Sequence, residues 1–469
     1  MPLLDLPNEL LLAIANPLDS EGDINALVQT NRHFHSLLNS HLYKHNVLHN
    51  EGSALEWAAA HGILASVKEF IQQGARIQGL VSSQPLLNAA RYGHVEVVAY
   101  LLSLGANPYS EEKRPLKRTP IQWAIRYNHP EVVKALIEVG VDPNERDKKG
   151  ESLLHFSAKE STRNNEAATQ VLIAKGAELE SKNFIGETPL CTACVSGSME
   201  VALCLIENGA DINFKDRDQN KSLLHLAALK NKVQIAEMLL EKGVSIEVKD
   251  SHGNTPLHYA CYNGCKQLAL FLVRKGANME AQSATGNRPL HLATVWETRI
   301  QQIDESLRVT SMLLALGASP EPKTDSGVTP LHLAMKKDGH ILCNILLDYG
   351  ADPTSRDHRG RTPLHYLPKS YCTRSAELLL SRGAAVQPQD NNGDTPLHIA
   401  ASETLPDFVT QLLVAGADQN IMNKQNKTPI ELTVTAFSDR WAEHLCPSNE
   451  ARDILQAAKD KATPDLGGR

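Results

Sequence analysis

The chain of 469 residues carries 22% charged side chains and a formal net charge of −7 at pH 7. A nucleic-acid scaffold would need a basic face, so this charge balance argues against nucleic acid as a partner. No apolar run approaches the ~18 residues that a membrane-spanning helix needs, so we expect no membrane segment.

The sequence of residues 1–46 predicts three short helices. Pro7 stands near the start of the first helix, with Glu9 in its first turn and a leucine-rich stripe after it. Acidic residues stand where a signal peptide would carry its basic region, so we interpret this segment as part of the folded protein. Asp23 is an N-cap candidate for the second helix, and the third runs through Phe34. Such short helices bury too small a core to be stable alone, so the segment requires a partner surface.

This segment resembles an F-box, the adaptor-binding module of cullin-based ubiquitin ligases. The resemblance rests on a Leu-Pro-x-Glu-Leu sequence, a leucine-rich helix and an aromatic residue in the third helix. It implies a Skp-family adaptor and a cullin ligase as partners. The implied adaptor contacts are Leu6, Pro7, Glu9, Leu10, Ile14, Leu18, Leu27, Val28 and Phe34. The alternative is a helical N-terminal cap that seals the first repeat.

A tetrapeptide related to Thr-Pro-Leu-His recurs along the remaining chain at a spacing near 33 residues. A fixed period of this length predicts a stack of similar units, because each unit can bury its apolar face only against its neighbours. We therefore predict an all-α solenoid of about twelve helix-turn-helix units with degenerate ends. The positions equivalent to the motif proline are Ala54, Pro85, Pro120, Leu153, Pro189, Leu223, Pro256, Pro289, Pro330, Pro363, Pro396 and Pro429.

Each residue of the motif has a predicted role in starting or ending a helix. Thr255 suits an N-cap, and Pro256 suits the first helical position, where no amide hydrogen is needed. His258 falls three residues after the cap, so its ring can reach back to polar groups of the cap. Gly276 is placed to end the second helix in a left-handed conformation.

Residues 51–462 resemble the ankyrin repeat family, as shown by motif copies such as Gly-Asn-Thr-Pro-Leu-His that close with Gly-Ala. The resemblance implies units with β-hairpin-like fingers. The expected organisation is an F-box-like domain at 1–46, the repeat array at 51–462 and a disordered tail at 463–469. The unit that starts near Pro289 is eight residues longer than the period, which predicts a lengthened helix pair or loop there.

Several groups of residues have metal-binding or redox spacing but are better explained by packing. Cys191 and Cys194 lie on one predicted helix, and no second pair with matching spacing follows them. The motif histidines occur once per repeat and are too far apart to converge on one ion, so we interpret them as caps. We expect no catalytic residue, metal or cofactor. Eight cysteines at irregular positions suggest reduced thiols and a cytoplasmic or nuclear protein.

One short basic cluster consists of Lys113, Arg114, Lys117 and Arg118. We interpret it as a solvated finger between two units, with a weak nuclear-import or anionic-partner patch as the alternative.

The ankyrin resemblance implies that the two positions after the small residues of each first helix face a concave binding groove. Tyr, Trp and Arg dominate interface energetics, so aromatic and arginine residues at these positions are candidate substrate contacts. The candidates are Arg91, Tyr92, Arg126, Tyr127, Tyr262 and Trp296, with Phe184 near a finger tip as a further candidate. Alternatively, Trp296 packs under the insertion that follows it and the tyrosines are ordinary amphipathic cover.

The F-box and ankyrin order predicts a non-catalytic substrate receptor of a cullin-type ubiquitin ligase, acting as a monomer within a hetero-complex. The rival interpretation is an ankyrin scaffold or inhibitor without a link to ubiquitin. An enzyme with a repeat appendage is disfavoured, because only about 46 residues precede the repeats and about seven follow Ala462, too few for a catalytic domain.

Overall fold

The computed structural model describes residues 53–75, 77, 84–112, 117–160, 165–295, 303–337, 339–367 and 373–432, together with 453, 454, 456 and 457. It divides into two compact units, Met1–Phe214 and Lys215–Arg469. The F-box-like segment at 1–46, the tail at 463–469 and Trp296 lie outside the described residues.

The described part of each unit is a series of helix pairs. In the first unit, the first helices of the pairs are Ser53–Ala60, Pro85–Tyr92, Pro120–Arg126, Leu153–Lys159 and Pro189–Ser196. Their second helices are Leu64–Gln72, Val95–Ser103, Pro130–Glu138, Glu166–Ala174 and Met199–Glu207. Within this unit, neighbouring first helices pack on each other, and each first helix packs on the second helix of its own pair.

The second unit repeats this arrangement. Its first helices are Leu223–Leu229, Pro256–Tyr262, Pro289–Thr294, Pro330–Lys336 and Pro396–Ser402, with a 3-10 turn at Pro363–His365. Its second helices are Val233–Glu241, Lys266–Arg274, Ile303–Ala315, His340–Asp348, Arg374–Ser381 and Pro406–Val414. The predicted all-α repeat fold is confirmed. Across the described segments, β-pairing is limited to two isolated antiparallel bridges, Arg146 with Ser152 and Lys215 with Ser222.

Two repeats differ from the regular pattern. Ile303–Ala315 has 13 residues where the other second helices have eight or nine, so the predicted insertion lengthens a helix. The repeat at Pro363 was expected to begin with a full helix and instead has a three-residue 3-10 turn. The physical reason is Pro368, which has no amide hydrogen and disfavours the helical conformation of the residue before it.

The capping role predicted for the motif histidine is confirmed. The backbone N–H of Thr255 donates to Nδ1 of His258 at 3.1 Å, and the Thr255 hydroxyl lies 2.9 Å from the same nitrogen. On the other side of the ring, Nε2 donates to the carbonyl of Asn287 at 3.0 Å. Asn287 belongs to the next repeat, so each histidine both caps its own helix and joins two repeats.

The cap at Thr395 gives a local test of the array. Its hydroxyl accepts the N–H of His398 at 3.4 Å and contacts Nδ1 of that histidine at 2.8 Å. We expect Thr395→Ala to lower the free energy of unfolding by about 0.5–2 kcal/mol. Thr410→Ala, at an exposed threonine of the same repeat, is the matched control and should change stability little.

Hydrogen exchange should place the effect of Thr395→Ala in the C-terminal repeats, because stability in a repeat array depends on nearest neighbours. Equal loss of protection in all repeats would contradict this expectation.

Candidate protein-binding surface

The last turns of three consecutive first helices bring charged and aromatic side chains together in the first unit. Arg91 lies in the last turn of Pro85–Tyr92, and Arg126 ends Pro120–Arg126. Glu160 follows directly after Leu153–Lys159. Arg91 and Arg126 occupy equivalent positions one repeat apart, and Glu160 falls one position further along in the next repeat, so stacking brings these side chains close together.

Trp123 lies at the centre of this group and is almost fully buried. The guanidinium carbon of Arg91 lies 4.4 Å from the centre of the Trp123 ring, within the range of a cation–π contact. The same carbon lies 5.7 Å from the ring of Tyr92 and 5.8 Å from the ring of Tyr127. The Trp123 and Tyr127 rings are stacked at 5.7 Å. One guanidinium therefore rests among three aromatic rings.

Arg118 approaches the same tryptophan. Its guanidinium carbon lies 5.0 Å from the Trp123 ring and 5.4 Å from the ring of Phe156. Its Nη2 donates to Glu160 at 2.6 Å, and Arg126 donates to the other oxygen of that carboxylate. Burial lowers the pKa of Arg118, although an arginine in a protein stays protonated. We call Arg91, Tyr92, Arg118, Trp123, Tyr127, Arg126 and Glu160 the arginine–tryptophan cluster.

The structure corrects the interpretation of Arg118 as part of a solvated finger. Its side chain is 12% exposed and pairs with a glutamate 42 residues further along the chain. Lys117 is exposed, as expected, and residues 113 and 114 lie outside the described part. The sequence signal that could have located Arg118 is its position directly before the N-cap Thr119 of the helix that carries Trp123.

The predicted substrate contacts are distributed over both units. Tyr92 is exposed in the cluster, whereas Tyr127 is half-buried between Trp123 and His129. Phe184 is 78% exposed on a finger of the first unit, beside the equally exposed Ile185. The structure thus brings four of the predicted residues together and leaves Phe184 apart from them. The four are Arg91, Tyr92, Arg126 and Tyr127.

Tyr262 belongs to the second unit, where it lines a pocket of about 360 Å³ with Tyr259 and Leu292. Tyr259 was not recognised from the sequence. Its hydroxyl donates to Asp250 at 2.8 Å, and burial together with this hydrogen bond raises its pKa above the usual range. Tyr259 therefore stays protonated at neutral pH, and its side chain lines the pocket.

The two motif-spaced cysteines are packing residues in the structure. Cys191 and Cys194 are fully buried on Pro189–Ser196. Burial raises the pKa of the Cys194 thiol to about 12, so it is not a thiolate at neutral pH. Of the residues the structure describes, no three His, Cys, Asp or Glu side chains are arranged to hold a metal ion. Nor does any described helix combine the length and apolar character needed to cross a bilayer.

The chain is similar over part of its length to several known proteins. The chain is 35% identical over 121 residues to a transient receptor potential cation channel subfamily A member 1 homolog of Caenorhabditis elegans, which covers 26% of this chain and 10% of that protein. It is 30% identical over 211 residues to the putative palmitoyltransferase ZDHHC13 of Danio rerio, a match that covers 44% of this chain and 27% of that protein. It is 46% identical over 68 residues to NF-kappa-B inhibitor alpha of Sus scrofa, a match that covers 14% of this chain and 21% of that protein.

The chain therefore spans about a quarter or less of the length of these relatives. The family model described as ankyrin repeats (3 copies) matches in overlapping stretches over 55–147, 86–183, 121–216, 154–250, 224–301, 300–390 and 331–423. These matches cover well over half of the 469 residues and agree with the helix pairs and caps described above. This protein belongs to the ankyrin repeat family, which indicates a protein-binding role.

Proposed function

We propose that this protein is a non-catalytic substrate receptor of a cullin-RING ubiquitin ligase. The ankyrin repeats hold a substrate protein, and the F-box-like segment at 1–46 binds the Skp-family adaptor. The arginine–tryptophan cluster is the observation that carries the substrate-binding part, since Arg, Trp and Tyr are the residue types that dominate interface energetics. The adaptor part rests on the F-box resemblance of residues 1–46.

In this proposal the chain does no chemistry itself. Ubiquitin transfer takes place on other subunits, and the receptor raises the effective concentration of the substrate near the loaded conjugating enzyme. The protein acts in the cytoplasm, the nucleus or both, as a monomer within the ligase complex.

A second candidate function is a scaffold or inhibitor of protein interactions without a ubiquitin link. The similarity to NF-kappa-B inhibitor alpha, whose name states an inhibitory role, favours this candidate over an enzyme. Adaptor binding separates the two proposals.

We expect Leu10→Asp to abolish co-purification of the Skp-family adaptor and the cullin. In the F-box interpretation Leu10 is buried against the adaptor, where a leucine side chain contributes about 1.5–3 kcal/mol and a buried carboxylate costs more than that. Leu104→Asp is the matched control, because Leu104 is 43% exposed in the repeat array.

Both variants should retain the helical melting curve of the array. Adaptor binding that survives Leu10→Asp, or that the unaltered chain never shows, would reject the receptor proposal in favour of the scaffold.

A further inference from the structure

The arginine–tryptophan cluster has more guanidinium groups than carboxylates to pair with them. Arg118 and Arg126 share the carboxylate of Glu160, and Glu112 adds a further attraction to Arg118. Arg91 forms no ion pair with any described residue and is held by aromatic rings alone. Three guanidinium groups against two carboxylates leave a local positive charge in a chain whose net charge is −7.

Hydrogen-bond donors point to the same imbalance. Nε of Arg91 and Nη1 of Arg118 are buried and have no hydrogen-bond partner among the described residues. A buried donor without an acceptor is costly, and the cost is larger for a charged group. Both orphaned donors belong to guanidinium groups that contact the same ring, that of Trp123. Oε2 of Glu112, whose carboxylate attracts Arg118, is also buried without a hydrogen-bond partner in the described part of the chain, so the missing acceptor is clearest at Arg91, where a negatively charged ligand would supply one.

We propose that the arginine–tryptophan cluster binds an acidic segment of the partner protein, with an Asp or Glu carboxylate accepting from Arg91 and attracted by the neighbouring charges of Arg118 and Arg126. A carboxylate matches the fork of a guanidinium group and can accept two N–H donors at once. Aromatic contacts on Arg91 hold its side chain before binding, which reduces the entropy lost when the ligand arrives. The inference rests on the proposed protein-binding function and names the chemical class of the substrate segment.

The negative charge of the rest of the chain increases selectivity. The positive cluster attracts an acidic segment, whereas the net charge of the chain does not, so the cluster favours one docking position. Binding should therefore weaken as the salt concentration rises.

Fluorescence anisotropy with the full chain and a labelled peptide of alternating glutamate and serine tests the proposal. A glutamine–serine peptide and a phosphoserine peptide of the same length serve as comparisons. We expect the glutamate peptide to bind, the glutamine peptide not to bind, and Arg91→Gln to weaken binding by about tenfold or more. Lys148→Gln removes one exposed positive charge from the same unit and is the matched control, with less than about a twofold effect.

Glu160→Gln should change the affinity for the glutamate peptide in the opposite direction to Arg91→Gln. It removes the carboxylate that competes for Arg118 and Arg126, so the glutamate peptide should bind several-fold more tightly. A variant that merely unfolded could not bind more tightly, so this result separates electrostatics from misfolding. Equal binding of the glutamate and glutamine peptides, or no change in Arg91→Gln, would overturn the proposal. Binding of the phosphoserine peptide alone would overturn it in favour of a phosphate site.

Failure of this inference is distinguishable from failure of the proposed function. Co-purification of the adaptor with the intact chain reports on residues 1–46 and does not depend on the cluster. Adaptor binding without peptide binding would reject the acidic segment and leave the receptor proposal in place.

Discussion

Acidification from pH 6.5 to about 4 should lower the free energy of unfolding of the second unit by several kcal/mol. His258, His291 and His332 are fully buried caps, and burial lowers the pKa of each from 6.5 to about 4. In His258, Nδ1 accepts the N–H of Thr255 while Nε2 donates to a carbonyl. A second proton on Nδ1 would abolish the accepted bond and place a charge in the core.

The sign of the effect follows from proton linkage. The folded histidine has a lower pKa than the unfolded one, so the unfolded chain binds more protons as the pH falls. The stabilisation is complete above pH 6.5, is lost progressively below it and is gone below about pH 4. A pKa shift of this size lowers the free energy of unfolding at low pH by at most about 3 kcal/mol for each histidine. Burial raises the pKa of Glu321, and this group opposes the trend by gaining a proton in the folded state.

Urea unfolding followed by circular dichroism between pH 7 and pH 4 measures this dependence. His258→Gln keeps an acceptor and a donor at the capping position but does not titrate, so its stability should fall less steeply with pH. His252→Gln, at an exposed histidine of the same repeat, should retain the slope of the unaltered protein. Identical slopes for all three proteins would contradict the assignment of the effect to the buried caps.

Features that depend on neighbours in sequence were predictable, and features that depend on stacking were not. The contact of His258 with Thr255 spans three residues and follows from the motif, whereas its bond to Asn287 requires the next repeat to be in place. Arg118 was misinterpreted for the same reason, because its burial depends on Glu160 in the following repeat.

In one repeat the sequence did contain the signal for a departure from the regular pattern, but the prediction did not use it. Pro368 stands in the sequence five residues after Pro363 and prevents a full first helix, yet the regular period favoured one. The assignments of Trp296 and of the adaptor contacts at 1–46 stay predictions, because those residues lie outside the part that the structure describes.

Glycine is required in the stack for two reasons, a left-handed backbone and a close approach of the next finger. Gly253 and Gly276 in the second unit allow the two reasons to be compared. Gly253 and Gly276 both have left-handed backbones, with φ of 73° and 95°. A Cβ at Gly276 would meet nothing within 4 Å, whereas one at Gly253 would lie 2.8 Å from the backbone nitrogen of Ala284 in the next finger. That nitrogen donates to the carbonyl of His252 at 2.7 Å, so it cannot retreat without losing a bond between fingers.

We expect Gly276→Ala to lower the free energy of unfolding by about 1–2 kcal/mol, the cost of a left-handed alanine. Gly253→Ala should cost about 1–3 kcal/mol more, because overpacking adds to the same backbone strain. Urea unfolding of the two variants measures the difference, and hydrogen exchange at Ala284 should report its loss of protection in Gly253→Ala alone. Equal destabilisation by the two changes would mean that the fingers can separate freely. In that case the repeats would be joined by the helices and the histidine caps, and the finger contacts would add little to the cohesion of the stack.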